Sequence, residues 1–117
     1  MLVDDDAELA SLLSEFLRRE GFSVDAAHEG NRGLEKALMP DVDLVVLDVM
    51  LPGIDGFEIL RRLRQKSKVP VLMLTAESKR EQIVEAAQAG VSGYVIKPFT
   101  AVTLKEKIDK ILESRAA

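Results

Sequence analysis

A chain of 117 residues, 47% apolar and 31% charged, can bury one core and leaves no room for a second catalytic module beside it. Sixteen basic residues against twenty acidic ones give a net charge of −4, which supplies no positive field for nucleic acid or an anionic membrane. The lack of cysteine removes disulfides and thiolate metal sites, no apolar stretch reaches the ~20 residues of a bilayer span, and Asp4, Asp5 and Asp6 break any secretory signal at once, so a cytoplasmic location is expected.

Met1, Leu2 and Val3 form a first strand that is short against the usual ~5 residues, a feature expected to weaken the sheet. Leu9, Leu12, Leu13, Phe16 and Leu17 then recur with the spacing of a helix with one buried face between Glu8 and Arg19, stopped by Gly21. Phe22 to Ala27 alternates apolar and polar residues, with Val24 between Ser23 and Asp25, as an edge-like strand does. Leu34, Ala37 and Leu38 mark a weaker second helix that must end before Pro40.

Leu44, Val45, Val46 and Leu47 are apolar on both alternating faces, which predicts a central parallel strand covered by helices above and below. A crossover helix is expected over Gly56 to Gln65, with Leu60 and Leu63 inside and Arg61, Arg62 and Arg64 on a solvated face. Val69 to Leu74 reads as the next strand, its Pro70 placed where a missing N–H is tolerated. Lys79 to Ala89 predicts another helix, with Ile83, Ala86 and Ala87 on one side, solvated Lys79 and Arg80, and Gly90 as its end. Gly93 to Ile96 supplies a last short strand, and Thr100 can cap a final helix striped by Leu104, Ile108, Ile111 and Leu112.

This alternation predicts a parallel sheet wrapped on both faces, in which functional groups gather at the carboxyl ends of the strands. The residues after the apolar runs are Asp4, Asp5 and Asp6, then Asp48, then Thr75, then Lys97. Carboxylates brought within ~4 Å repel by roughly 4 kcal/mol per pair at an effective dielectric near 20, so something positive must offset them. A hard cation held by oxygens is the reasonable candidate, and Mg²⁺ fits that ligand set. Lys97 and Thr75 would add one point charge and one hydroxyl donor suited to phosphoryl oxygens.

Each residue also has a plainer role. Asp6 can cap the first helix, and Asp5 with Glu8 has the spacing of a capping box. Thr75 alone fits an ordinary strand or turn, and Lys97 before Pro98 can snorkel to solvent. His28, the single imidazole, follows a strand and reads as a surface residue. Neither a dinucleotide-binding glycine motif nor a Walker nucleotide motif is present.

Four stretches, in order, carry a resemblance to the receiver domains of two-component response regulators. They are Leu2-Val3-Asp4-Asp5-Asp6, the run from Val46 to Gly56, Leu74-Thr75-Ala76, and Tyr94-Val95-Ile96-Lys97-Pro98-Phe99. The resemblance implies one receiver domain over residues 1–117 with a flavodoxin-like (CheY-like) α/β fold. That fold is a doubly wound five-stranded parallel sheet of order 2-1-3-4-5 with five helices on both faces.

The same resemblance implies that Asp48 accepts a phosphoryl group from a sensor histidine kinase or phosphotransfer protein, with Mg²⁺ as cofactor. It likens Asp5 to a direct Mg²⁺ ligand, Asp4 to the partner of a metal-bound water, and Met50 to the residue whose backbone carbonyl meets the metal. Thr75 is similar to the hydroxyl that closes onto the phosphoryl group and Lys97 to the ammonium that pairs with it, while Lys97-Pro98 matches a cis peptide. Tyr94 resembles the aromatic switch, and Met50 and Glu77 stand where phosphoryl lifetime is tuned. The implied output face joins the helix at 79–89, the strand at 93–96 and the last helix; with no room for an effector domain after Ala117, output is expected either through a downstream protein partner at that face or through an effector domain that was cut away.

The resemblance is split. The first half is similar to receivers of the winged-helix transcription-factor branch, and the stretch from Leu74 to Thr100 to the chemotaxis receiver, so a chimeric or designed origin stands beside a natural stand-alone one. Three function classes can use such residues: the phosphoryl-accepting switch, an aspartate-nucleophile phosphohydrolase, and a scaffold without a cognate pathway. The hydrolase lacks its second acid two residues after the nucleophile, because Met50 stands there. The switch is not expected to be an enzyme beyond its own phosphorylation and dephosphorylation.

Overall fold

The computed structural model describes residues 1–49, 51, 54–76, 84, 87, 88 and 90–116. Along them run β1 (Leu2–Val3), α1 (Ala7–Arg19), β2 (Ala26–Ala27), α2 (Gly30–Ala37) and β3 (Val45–Asp48). They are followed by α3 (Gly56–Arg64), β4 (Val71–Ala76), β5 (Gly93–Lys97) and α4 (Ala101–Ala116). All strand pairs are parallel and the order is β2-β1-β3-β4-β5, the doubly wound sheet expected. Four helices are described rather than five. The helix expected over 79–89 lies mostly outside the described residues, although Val84, Ala87 and Gln88 within that span are helical.

The period-two alternation of the strands divides the core. Val3, Val45, Leu47, Val71 and Met73 pack with Ala37, Ile59, Leu60 and Leu63 of α2 and α3. Their neighbours Leu2, Val46, Leu72 and Leu74 pack with Ala10, Leu13, Leu17, Leu104 and Ile108 of α1 and α4. Strands buried on both faces must be apolar throughout, which is why β3 and β4 show no polar residue until their carboxyl ends. Each fully buried leucine side chain contributes about 1.5–3 kcal/mol relative to exposure, so these two layers hold the strand ends in place.

The edges of the elements differ from the sequence-based expectations in instructive ways. β2 is confined to Ala26–Ala27 rather than Phe22 to Ala27, because β1 offers only Leu2 and Val3 to pair with. Upstream of it, the Val24 carbonyl accepts from Arg18 Nη2 at 2.8 Å instead of from a strand. β3 and β4 are shifted towards their carboxyl ends, so Asp48, Thr75 and Lys97 are strand residues rather than residues after strands.

On α1 the buried arc is Ala10, Leu13 and Leu17, and Leu12 is 61% exposed, contrary to its place in the predicted stripe. It lies roughly 100–160° round the helix from each of them. The α1 cap is Asp6, whose Oδ1 accepts from the Leu9 N–H at 3.1 Å, so no box built on Asp5 and Glu8 is needed. Thr100 caps α4 as expected, accepting from the Thr103 N–H at 3.1 Å.

Arg64 departs from its expected solvated role. Its Nε donates to the Gly90 carbonyl at 2.9 Å and its Nη1 to the Val69 carbonyl at 2.6 Å, and burial lowers its pKa. Gly90 takes the left-handed φ of +91° there, so the guanidinium joins the end of α3 to the turn that feeds β5.

Candidate functional site

The strand register brings the polar strand ends to one edge. Asp48 is level with Leu74, Thr75 with Ile96, and Ala76 with Lys97, so the long lysine stem reaches back across β4. Its Nζ donates to Asp48 Oδ2 at 2.8 Å and stands 3.9 Å from Asp4 Oδ2. Asp4 and Asp48 are 0% and 2% exposed, a costly placement for carboxylates without compensation.

Asp4, Asp5 and Asp48 each offer a carboxylate oxygen, and these atoms lie within 4.8 Å of one another. At that separation each charged pair repels by on the order of 3–4 kcal/mol at an effective dielectric near 20. Burial pushes the Asp4 carboxyl up to about 6, the Asp48 charge adds to the rise, and the Asp6 N–H bond and Lys97 oppose it. Burial also opposes the charge on Lys97, but its hydrogen bond to Asp48 and the charges of Asp48, Asp4 and Asp5 prevail, so its pKa lies above the ordinary lysine value.

A hard cation fits this donor set. The three ligand atoms are all carboxylate oxygens, and Asp4 Oδ2 is buried with no hydrogen-bond partner among the described residues. Asp4 Oδ1 is already engaged, accepting from the Asp6 N–H at 3.0 Å, which turns Oδ2 towards the cluster. One lysine beside three carboxylates leaves a surplus of negative charge for a divalent ion to neutralise.

Thr75 is fully buried on β4, and its Oγ1 has no partner among the described residues. Lys97-Pro98 is cis, as the motif implied. Tyr94 lies on the edge strand β5, 38% exposed, where it lines a shallow groove with Pro98, Phe99, Thr103 and Lys107. The roles expected for Met50 and Glu77 fall outside the described residues, as does most of the helix expected to form the output face.

One further strand end, that of β2, is followed by His28, which is expected at the surface. His28 is exposed, as expected, but its Nδ1 lies 3.1 Å from the Asp4 backbone carbonyl. Position at a strand end was the signal that could have found it.

Comparison with known proteins points the same way as the geometry. A family model described as the response regulator receiver domain matches residues 1–109. The chain is 47% identical over 117 residues to chemotaxis protein CheY-3 of Vibrio cholerae, covering 97% of this chain and 90% of that protein. It is 39% identical over 100 residues to the transcriptional regulatory protein ResD of Bacillus subtilis, covering 86% of this chain and 42% of that regulator. The crystal structure of a two-component response regulator from Clostridium difficile matches with a TM-score of 0.92 at 26% identity, covering 99% of this chain and 96% of that one.

Proposed function

The chain belongs to the response regulator receiver domain family, phosphoacceptor switches of two-component signalling rather than classical enzymes, and from that premise we propose that Asp48 is its phosphoryl acceptor. The observation that carries the proposal is the buried Asp48 carboxylate, 2.8 Å from Lys97 Nζ and clustered with Asp4 and Asp5. Residues 1–117 act as one receiver domain, in the cytoplasm, with a sensor histidine kinase or phosphotransfer protein as donor and a downstream protein as reader.

An Asp48 oxygen attacks the phosphorus of a donor phosphohistidine in line, the P–N bond breaks, and the imidazole leaves with its electron pair. Asp4, Asp5 and Asp48 would hold the cation between them, and the resemblance would add Met50, which lies outside the described residues. When bound, Mg²⁺ neutralises charge on the transferring group and orients its oxygens. Lys97 gives up part of its bond to Asp48 and pairs with a phosphoryl oxygen, which is electrostatic stabilisation rather than acid-base chemistry. Self-phosphorylation from small donors and self-dephosphorylation are the only reactions of the chain itself, and Met50 and Glu77 set the phosphoryl lifetime.

The Thr75 hydroxyl, which has no partner among the described residues, closes onto the phosphoryl group. Tyr94 then turns inward from its exposed place, and the face made by the 79–89 segment, β5 and α4 shifts its population towards the form a partner binds. Acetyl phosphate with Mg²⁺ should label the wild type, and the label should be acid-stable and base-labile as an acyl phosphate is. Equal labelling of Asp48→Asn would remove Asp48 from this role, and labelling that persists in chelator would remove the Mg²⁺ requirement.

A further inference from the structure

One polar strand-end side chain has no part in the phosphoryl chemistry: His28, the residue after β2 and the chain's single histidine. Its Nδ1 is 3.1 Å from the Asp4 carbonyl oxygen. A carbonyl oxygen only accepts, so Nδ1 carries the proton and donates. On its other side Asp4 donates its own N–H to the Ala27 carbonyl at 3.1 Å, one step beyond the β1–β2 pairs Leu2↔Ala26 and Val3↔Ala27. The backbone ladder ends there, and the imidazole supplies the next donor.

The Asp4 carbonyl and the Asp5 N–H belong to one planar peptide unit. Holding that carbonyl therefore fixes the direction in which the chain leaves Asp4 and the place from which the Asp5 carboxylate projects. The Asp4 side chain is held from the next turn, where Oδ1 accepts from the Asp6 N–H at 3.0 Å. His28 is not among the residues whose ligand atoms cluster, which are Asp4, Asp5 and Asp48.

We propose that His28 is a positioning residue for the acidic pocket: through its Nδ1–H bond to the Asp4 carbonyl it sets the Asp4–Asp5 peptide plane and so aims both carboxylates at the cation. The inference rests on the Mg²⁺ assignment made above and extends it to a residue that touches neither metal nor phosphoryl group. Outer partners of this kind tune affinity by orienting ligands that are flexible without them.

Two substitutions separate the donor from the ring. His28→Asn places an amide Nδ2 at the same two bonds from Cβ as the imidazole Nδ1, whereas His28→Leu offers no donor, and both remove the ring. Because His28 is exposed, neither change disturbs the core. With Mg²⁺ titrated into each protein and followed by amide shifts, His28→Leu should bind about tenfold more weakly and His28→Asn within about twofold of wild type. In metal-free protein the Asp6 amide, which reports on Asp4 Oδ1, should move in His28→Leu and stay in place in His28→Asn.

Wild-type affinity in His28→Leu, or equal losses in both variants, would overturn the proposal. If the wild type itself gives no Mg²⁺ response, the metal assignment fails. The Asp6 amide then decides positioning separately: a shift in His28→Leu alone supports it, and equal behaviour of the two variants sinks it.

Discussion

Lys97 reaches back from the last residue of β5 to donate to Asp48 at the last residue of β3, an Nζ to Oδ2 distance of 2.8 Å across the intervening strand. The ammonium is the positive charge that the structure itself supplies to a pocket of three carboxylates, and a cation must share that pocket with it.

Lys97→Met should therefore have effects of opposite sign. Metal-free stability should fall by about 1–3 kcal/mol, less than for a fully buried pair because the lysine is partly exposed. Mg²⁺ affinity should rise several-fold, since a competing positive charge within ~4 Å is gone. Response to beryllofluoride should be lost. Urea unfolding and a Mg²⁺ titration read the first two, and an Mg²⁺ affinity that falls would show that Lys97 orders the ligands rather than competing with the ion.

How much of this was legible in the sequence follows from what each signal depends on. β3 and β4 were readable because a strand buried on both faces must be apolar throughout, and the acids that end β1 and β3 stand out against such runs. The limits of β2 were not, because a strand's extent depends on the partner it pairs with, and only Leu2 and Val3 pair with it. Leu12 illustrates the loss at the next level: a helical spacing rule admits any residue near the stripe, and only packing shows that Ala10, Leu13 and Leu17 centre it. The contacts of His28 and Arg64 were not legible because their partners are backbone carbonyls, at Asp4 and at Gly90 and Val69, and carbonyls leave no trace in side-chain patterns.

The raised Asp4 pKa sets a pH dependence with a definite sign. Below about 3.8 the carboxyl is protonated in folded and unfolded chains alike, and from there to about 6 the folded protein keeps the proton that the unfolded chain releases. Stability from this group therefore falls as pH rises through that window, and the full cost stands above it. Asp4→Asn, which keeps an acceptor for the Asp6 N–H, should stabilise the metal-free protein by about 1–3 kcal/mol near pH 7.5 and by almost nothing near pH 3.5. Saturating Mg²⁺ should stabilise the wild type more than the variant. Urea midpoints at both pH values test this, and a variant no more stable than wild type near pH 7.5 would contradict it.

Arg64 should be a stability determinant without a carboxylate partner among the described residues. Removing its bonds to the Gly90 and Val69 carbonyls strands acceptors beside a partly buried turn, so Arg64→Met should cost about 1–3 kcal/mol. Arg64→Lys should recover only part, because one ammonium does not reproduce the guanidinium fork. Loss of protection at the Ser92 amide, which donates to the Val71 carbonyl at 2.9 Å, would place the damage at the start of β5. A change within ~0.5 kcal/mol for Arg64→Met would make the clamp an ordinary surface contact.

Two glycines test whether the α3 start is coupled to the acceptor carboxylate. A Cβ on Gly56 would stand 2.5 Å from the Asp48 carbonyl oxygen and 2.8 Å from Val49 Cα, backbone atoms that cannot turn aside as a side chain does. Gly56→Ala must therefore push the first turn of α3 away from the end of β3, and the nearest atom it presses on belongs to the residue that carries the acceptor. It should cost about 2 kcal/mol or more and weaken beryllofluoride binding as well. Gly21→Ala is the control: its φ of +97° makes alanine strained, yet nothing lies within 4 Å, so about 1–2 kcal/mol should be lost with the pocket unchanged. If both variants lose stability while binding beryllofluoride equally well, the close approach at Gly56 serves packing alone, and Asp48 is held by β3 without help from α3.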